Sequence, residues 1–504
     1  MQHPNSVPFS RLRNFFWPIH GYEHKKLVPM LLLFFLISFI YNLLRCMKVT
    51  LVVTSQGSGA EVIPFLKVWA VLPCAVFLTY LYTKLSQHLN REQVFYTMIA
   101  IFLAFFTVFL LVLYPNRELL ELNTFANYLE QVLPSGFKGL ISIIRHWPLA
   151  LFYVLSDLWS AAVLSMLFWG FANEVTTVNE AKRFYAIFAL GANFSGIFSG
   201  QFAQFLILDD YNAWFPFGQN AWEQSLNLQL GLVLCLGVMI IFLFRWVNKK
   251  VLPMQPAINL HEPLVEEPFT KFSLTECFRY ISKSRYMLYI AIVVVSYNIV
   301  YNLADVLWTA QVKQRYPDAS DFNAYMNDIV SVVGVFATVS SLFLSGNVIR
   351  RYGWTVTAMI TPCILLVTGI GFFGCMLFET SPYLSDCLFA LFQTPVINLV
   401  LLFGSAQMCL GRAAKYTVFD ETKEIAFIPL PKAEQRKGKA VVDGIASRLG
   451  KSGGSLTIQI LLVLCGNLLA TVPYIAGIFV IFIVLWIIAV RRLGHLVWKS
   501  IDKG

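Results

Sequence analysis

Charge is what this sequence has least of. Only 13% of its 504 residues are Asp, Glu, Lys or Arg, about half the share usual in soluble domains. Such a chain cannot meet water on every side, so a bilayer is its expected solvent. Histidine is sparse too: the seven lie at 3, 20, 24, 88, 146, 261 and 495, all terminal, in loops or at the edges of apolar runs. That placement argues against an interior histidine relay and leaves Asp157 and Asp305 as the acids able to carry a proton. The nine cysteines are scattered without CxxC or disulfide spacing and read as small apolar packing residues. HExxH and metal-ligand clusters are missing, so no catalytic constellation, metal or cofactor is expected, and the chain does not read as an enzyme. The amphipathic opening stretch, up to about Lys26, resembles neither a cleavable signal nor an Arg/Ser-rich transit peptide.

What the chain has in excess is apolar surface, at 57% hydrophobic residues. A spanning helix needs about 20 mostly apolar residues. Twelve stretches qualify, near 27–46, 61–82, 93–114, 148–172, 184–207, 228–247, 286–310, 325–346, 355–378, 387–410, 453–471 and 474–490. The expected fold is therefore an all-α polytopic membrane protein. The last two spans, joined at Thr471-Val472-Pro473, read as a hairpin.

Basic residues give the orientation. The N-terminus, every even-to-odd connection and the C-terminus together hold thirty Lys and Arg, against six in the opposite set of segments. Cytoplasmic segments carry such an excess, so both termini are expected inside. The net charge of +10 is thereby explained by topology, and nucleic acid is not needed as a partner. Residues 249–284, with Pro253, Pro256, Pro263, Pro268 and the Glu266-Glu267 pair, read as a cytoplasmic linker. The expected organisation is a cytoplasmic segment 1–26, a six-helix half 27–248, that linker, a second six-helix half 285–490 and a cytoplasmic tail 491–504. Two halves of six spans about a central linker is the layout of major-facilitator carriers, whose halves are parallel repeats. Tyr41-Asn42-Leu43 in span one returns as Tyr301-Asn302-Leu303 in span seven. Three residues after each asparagine stands a charge, Arg45 and Asp305, of opposite sign.

Ionised groups near the bilayer centre cost about 2.5–3.5 kcal/mol on insertion scales and usually face a cavity. Five stand out: Arg45, Lys67, Asp157, Asp305 and Lys451. Each has a plainer reading. Lys67, about two turns into its span, could snorkel to the surface, and Asp157 could be structural. Asp305 could pair with Arg45 to lock the halves together. Lys451 and Arg45 could be ordinary interfacial cations. Against this, two lysines within spans have no purpose in a carrier of uncharged solutes, whereas a cationic cavity suits a polyanion. Gly450-Lys451-Ser452 invites comparison with a phosphate-binding P-loop, but the upstream glycine, Gly444, is one residue too far away and no strand precedes it. Small residues with a lysine at a helix start can still hold an anion.

With those residues in view, the chain resembles the nucleotide transporter (ATP/ADP translocase) family of obligate intracellular bacteria and plant plastids. The resemblance is carried by TLVVTSQGSGAEVIPFLK at 50–67, LFWGFANEVTTVNEAKRFY at 167–185, YTVFDETKEIAFIPL at 416–430 and KGKAVVDGIASRLGKSGGSL at 437–456. It runs from about residue 20 to 490 and implies that Lys67, Asp157, Asp305 and Lys451 matter for transport. Both acids stand where ATP/ADP exchangers usually have glutamate. Cys46-Met47-Lys48-Val49-Thr50-Leu51 departs from the usual D-T-K-D-T-L. The resemblance implies exchange of external ATP for internal ADP by alternating access. A proton-coupled importer of GTP, UTP or NAD stays open, because the family includes such members. A monomer in a bacterial inner membrane is expected.

Overall fold

The computed structural model describes residues 19–253, 279, 284–343, 347–379 and 382–501, nearly all of them in helices. The proposed linker falls largely outside the described residues. Twelve long helices correspond to the twelve expected spans. They are α1 (His24–Val53), α2 (Val62–His88), α3 (Arg91–Leu113), α4 (Trp147–Val175), α5 (Val178–Phe205), α6 (Ala221–Val251) and α7 (Arg285–Arg315). After these come α8 (Ala319–Phe343), α9 (Arg351–Glu379), α10 (Val396–Phe427), α11 (432–465) and α12 (Val472–Ile501).

Ten of these helices are long and apolar enough to cross a membrane by composition alone; α5 and α11 are not among them. The reason is where they pack. On α5, Asn193, Gln201 and Gln204 bond across to Ser341, Ser331 and the Ala324 carbonyl of α8 at 3.3, 3.3 and 2.7 Å. On α11, Gln459 donates to the Pro64 carbonyl at 2.8 Å and accepts from Trp69 of α2 at 3.0 Å. Polar side chains are retained in a membrane helix when a neighbouring helix satisfies them. Elsewhere the outward faces carry exposed side chains such as Phe77, Leu111, Val367 and Leu464, as lipid contact requires.

Each half has its own apolar core. One is built wholly from residues 19–251. The other comes from residues 287–493, joined by Cys46, Val53, Ala60, Ile63 and Phe65 from the first half. Those five lie at one end of the bundle, opposite the end where α1 begins and α12 finishes. The halves are therefore pressed together at this distal end. Lys313 of α7 caps the carbonyls of Val53 and Ser58 there, and Thr50, Asn323 and Gln229 form a buried chain of hydrogen bonds at 3.1 Å per link. The short helices Arg117–Leu120, Asn123–Val132 and Lys138–Arg145 cover the same end. The internal echo is structural: Asn42 donates to Ser195 of α5 at 3.4 Å, and Asn302 donates to Ser455 of α11 at 2.8 Å.

Two spans sit elsewhere along the chain than expected. For the tenth, expected at 387–410, Pro382–Phe392 is a separate short helix, and Pro395 starts α10. Proline disfavours helix in the residue before it, and that breaks the apolar run. For the eleventh, expected at 453–471, the helix runs unbroken through Gly450–Ser455 and stops at Gly466, in the left-handed region (φ 83°). The glycines belong inside it because α7 is close: a Cβ on Gly450 would sit 2.8 Å from Asn298, and one on Gly454 would sit 3.0 Å from Asn302.

Candidate functional site

Helical spacing sets which side chains can meet. On α1, Tyr41, Arg45 and Lys48 share a face, as do Asn298, Tyr301, Asn302 and Asp305 on α7. In α2 and α10 the regular helix gives way to π-helical turns at Leu66–Val71 and Lys415–Phe419. A third such stretch, Ser160–Phe168, succeeds Asp157 in α4. Each π turn widens the helix and rotates the residues beyond it, a device found often at functional sites. Here it carries Lys67, Lys415 and Tyr416.

All five expected residues fall into one electrostatic cluster between the halves. Lys67 donates to Asn302 Oδ1 at 2.6 Å and stands 3.5 Å from Asp305. Asp305 also faces Arg412 of α10 at 3.6 Å. Asp157 is held by Lys48 through a direct hydrogen bond and lies in the field of Lys67 and Lys451. Lys451 in turn lies in the field of Lys415, Asp157 and Lys67. Arg45 lies in the field of the Tyr41 and Tyr301 phenols and of Asp305. The alternative Arg45–Asp305 ion pair does not form; Asp305 is engaged by Lys67 and Arg412 instead.

Two readings of single residues change. Lys451 does not open a helix; it lies mid-way along α11, where the backbone N–H groups are engaged within the helix. What it offers an anion is its ammonium group alone. Arg412, Lys415 and Lys48, assigned from the sequence to loops, lie inside α10 and α1. Lys48 was detectable as a cation one turn from Arg45 inside an apolar run. Arg412 and Lys415 were missed because the expected tenth span lies too early along the chain, ending at 410, whereas α10 runs on through both.

Six cations (Arg45, Lys48, Lys67, Arg412, Lys415 and Lys451) thus meet three carboxylates (Asp157, Asp305 and Asp420), the last paired with Lys415 at 3.1 Å. Neither Arg45 nor Lys451 makes an ion pair with a described residue. Lys451 and Tyr416 are exposed although each is mid-helix, and Lys451 feels Asp157 and Lys67 of the first half across the seam. Tyrosines accompany the cations: Lys48 sits 4.7 Å over the Tyr153 ring, Lys415 5.0 Å over Tyr416 and Arg412 5.3 Å over Tyr301. Such contacts hold cations in place while leaving their charge available.

Two six-helix bundles closing on a cationic central site have the architecture of the major-facilitator fold. Solved carriers share the architecture. A D-xylose–proton symporter superimposes with a TM-score of 0.55 at 15% identity, over 94% of this chain and 97% of its own. A bacterial homologue of the iron transporter ferroportin, in an inward-facing state, gives 0.52 at 14% identity, over 96% and 100%. At such identities the likeness is one of fold. The particular family comes from sequence: the chain belongs to the TLC ATP/ADP transporter family, whose profile matches residues 2–496. It is 42% identical over 489 residues to ADP,ATP carrier protein 1 of Chlamydia trachomatis, covering 97% of this chain and 92% of that one. It is 39% identical to the chloroplastic ADP,ATP carrier protein 1 of Arabidopsis thaliana, covering 93% and 73%.

Proposed function

We propose that this chain exchanges ATP for ADP across a bacterial inner membrane as a single chain with both termini in the cytoplasm. Its two halves, 27–248 and 285–490, rock about the cationic site. The observation that carries the reading is the surplus of cations over carboxylates in a space between halves. Nucleotides bring several negative charges, and a partly dehydrated site of opposite sign binds them more strongly than water-exposed cations would. Arg45, Lys67 and Lys451 are the phosphate ligands in this reading. Asp157 and Asp305 are the resident counter-charges, neutralising lysines that would otherwise repel one another while the site is empty. An arriving phosphate competes with them, so the rearrangement that exposes the other side is easiest with cargo aboard. That coupling gives exchange rather than leak.

The test is uptake of labelled ATP into cells expressing the chain. Lys67→Ala and Lys451→Ala should each cut uptake at least about tenfold, the loss expected when a charge-assisted bond to phosphate is removed. A lysine whose removal leaves uptake intact is not part of the site.

A further inference from the structure

Asn302 is 5% exposed, and its amide serves three helices. Its Oδ1 accepts from Lys67 of α2 at 2.6 Å, while its Nδ2 donates to the Lys451 carbonyl at 2.9 Å and to Ser455 Oγ at 2.8 Å, both on α11. Lys67 belongs to the first half of the chain, and the other partners belong to the second. The short bond of Lys67 across the seam is made to this neutral amide; the Asp305 carboxylate is farther away at 3.5 Å. A neutral acceptor holds an ammonium less firmly than an anion does. Such a bond is strong enough to favour one arrangement and weak enough to be replaced by a phosphate oxygen. Asn42, the counterpart of Asn302 in the repeat, bonds only within its own half, to Ser195.

We propose that Asn302 is a positioning residue that latches the distal end shut through Lys67. It fixes where that ammonium stands relative to Lys451, and a nucleotide phosphate releases it by taking the place of Oδ1. The release step rests on the nucleotide reading above; the latch itself does not. Its absence would let the seam between α2 and α7 part more often. Its strengthening would keep the seam closed.

The experiment reads that seam directly. Ser58 is buried at the distal end, and its carbonyl accepts from Lys313 of α7. A Ser58→Cys variant is purified in detergent and treated with a maleimide, and labelling at residue 58 is followed by peptide mass. Adding Asn302→Leu should raise the labelling rate about tenfold, the order expected for losing one charge-assisted bond across the seam. Adding Asn302→Asp should lower it, because a carboxylate grips Lys67 more tightly. Adding Asn42→Leu should leave it unchanged. The latch is overturned if Asn302→Leu labels at the parent rate, or if Asn42→Leu raises labelling equally. Should Asn302→Leu fail to fold, Asn302→Asp decides alone: slower labelling supports the latch, and equal or faster labelling contradicts it. ATP added to the parent should change its labelling rate. If ATP has no effect while the Asn302 variants still differ, the nucleotide reading fails and the latch stands.

Discussion

Lys48 and Asp157 hold each other across α1 and α4, with the lysine side chain 6% exposed and the aspartate 36%. Removing one partner of a buried pair leaves the other charge uncompensated, at a cost of several kcal/mol when burial is complete. Asp157 is partly solvated and also feels Lys67 and Lys451, so Lys48→Ala should destabilise the protein by only about 1–2 kcal/mol. The effect on exchange should be larger, because the freed carboxylate would occupy the lysines meant for phosphate. Thermal unfolding and ATP uptake measured on the same preparations check this. The double variant Lys48→Ala with Asp157→Ala should recover stability but not transport. If the single variant transports at the parent rate, Asp157 is not competing with cargo.

The sequence made some of these side chains visible and hid others for physical reasons. Lys67, Asp157 and Asp305 stand out because each interrupts an unambiguous apolar run, where an ion needs a partner or a cavity. That Asp305 would choose Lys67 and Arg412 over Arg45 was not legible. The choice depends on the π turn in α2 and on the rotation of α10, and neither leaves a mark in hydropathy.

Among the helices, α5 and α8 make the closest crossing between halves, with Gly196 lying against Gly334. Small residues at such crossings let backbones approach and slide. A Cβ at Gly334 would come within 2.8 Å of the Asn193 carbonyl and of Ile197, so neither backbone can yield without separating the helices. Gly334→Val should therefore slow exchange severalfold and lower stability by about 1–3 kcal/mol, as overpacking does. Gly374→Val in α9, where a Cβ meets nothing within 4 Å, should leave both close to the parent. Equal behaviour of the two variants in counterflow and thermal unfolding would show that the α5–α8 crossing does not govern the motion.

The helices themselves were legible wherever lipid dictates composition. They were displaced where packing dictates it. Span eleven drifted because its glycines and serines serve contact with α7, yet in a soluble context the same residues would mark a loop. Span ten drifted for the opposite reason: an apolar helix that is not part of the span precedes Pro395.

For the molecule as a whole, the two cores give each half its own packing, and the proposed rocking moves them as bodies about the seam. The charge asymmetry read from the sequence also persists in kind. Arg412, Lys415 and Lys451 leave the cytoplasmic tally for the site, but the remaining excess still favours the end where α1 begins. On the proposed reading, a site that is over-cationic when empty and balanced when loaded disfavours movement without cargo. Counterflow in proteoliposomes tests that most directly. Vesicles loaded with ADP should take up labelled ATP, vesicles without internal nucleotide should take up little, and an uncoupler should change neither result. Uptake into empty vesicles that collapses when the uncoupler is added would contradict the account.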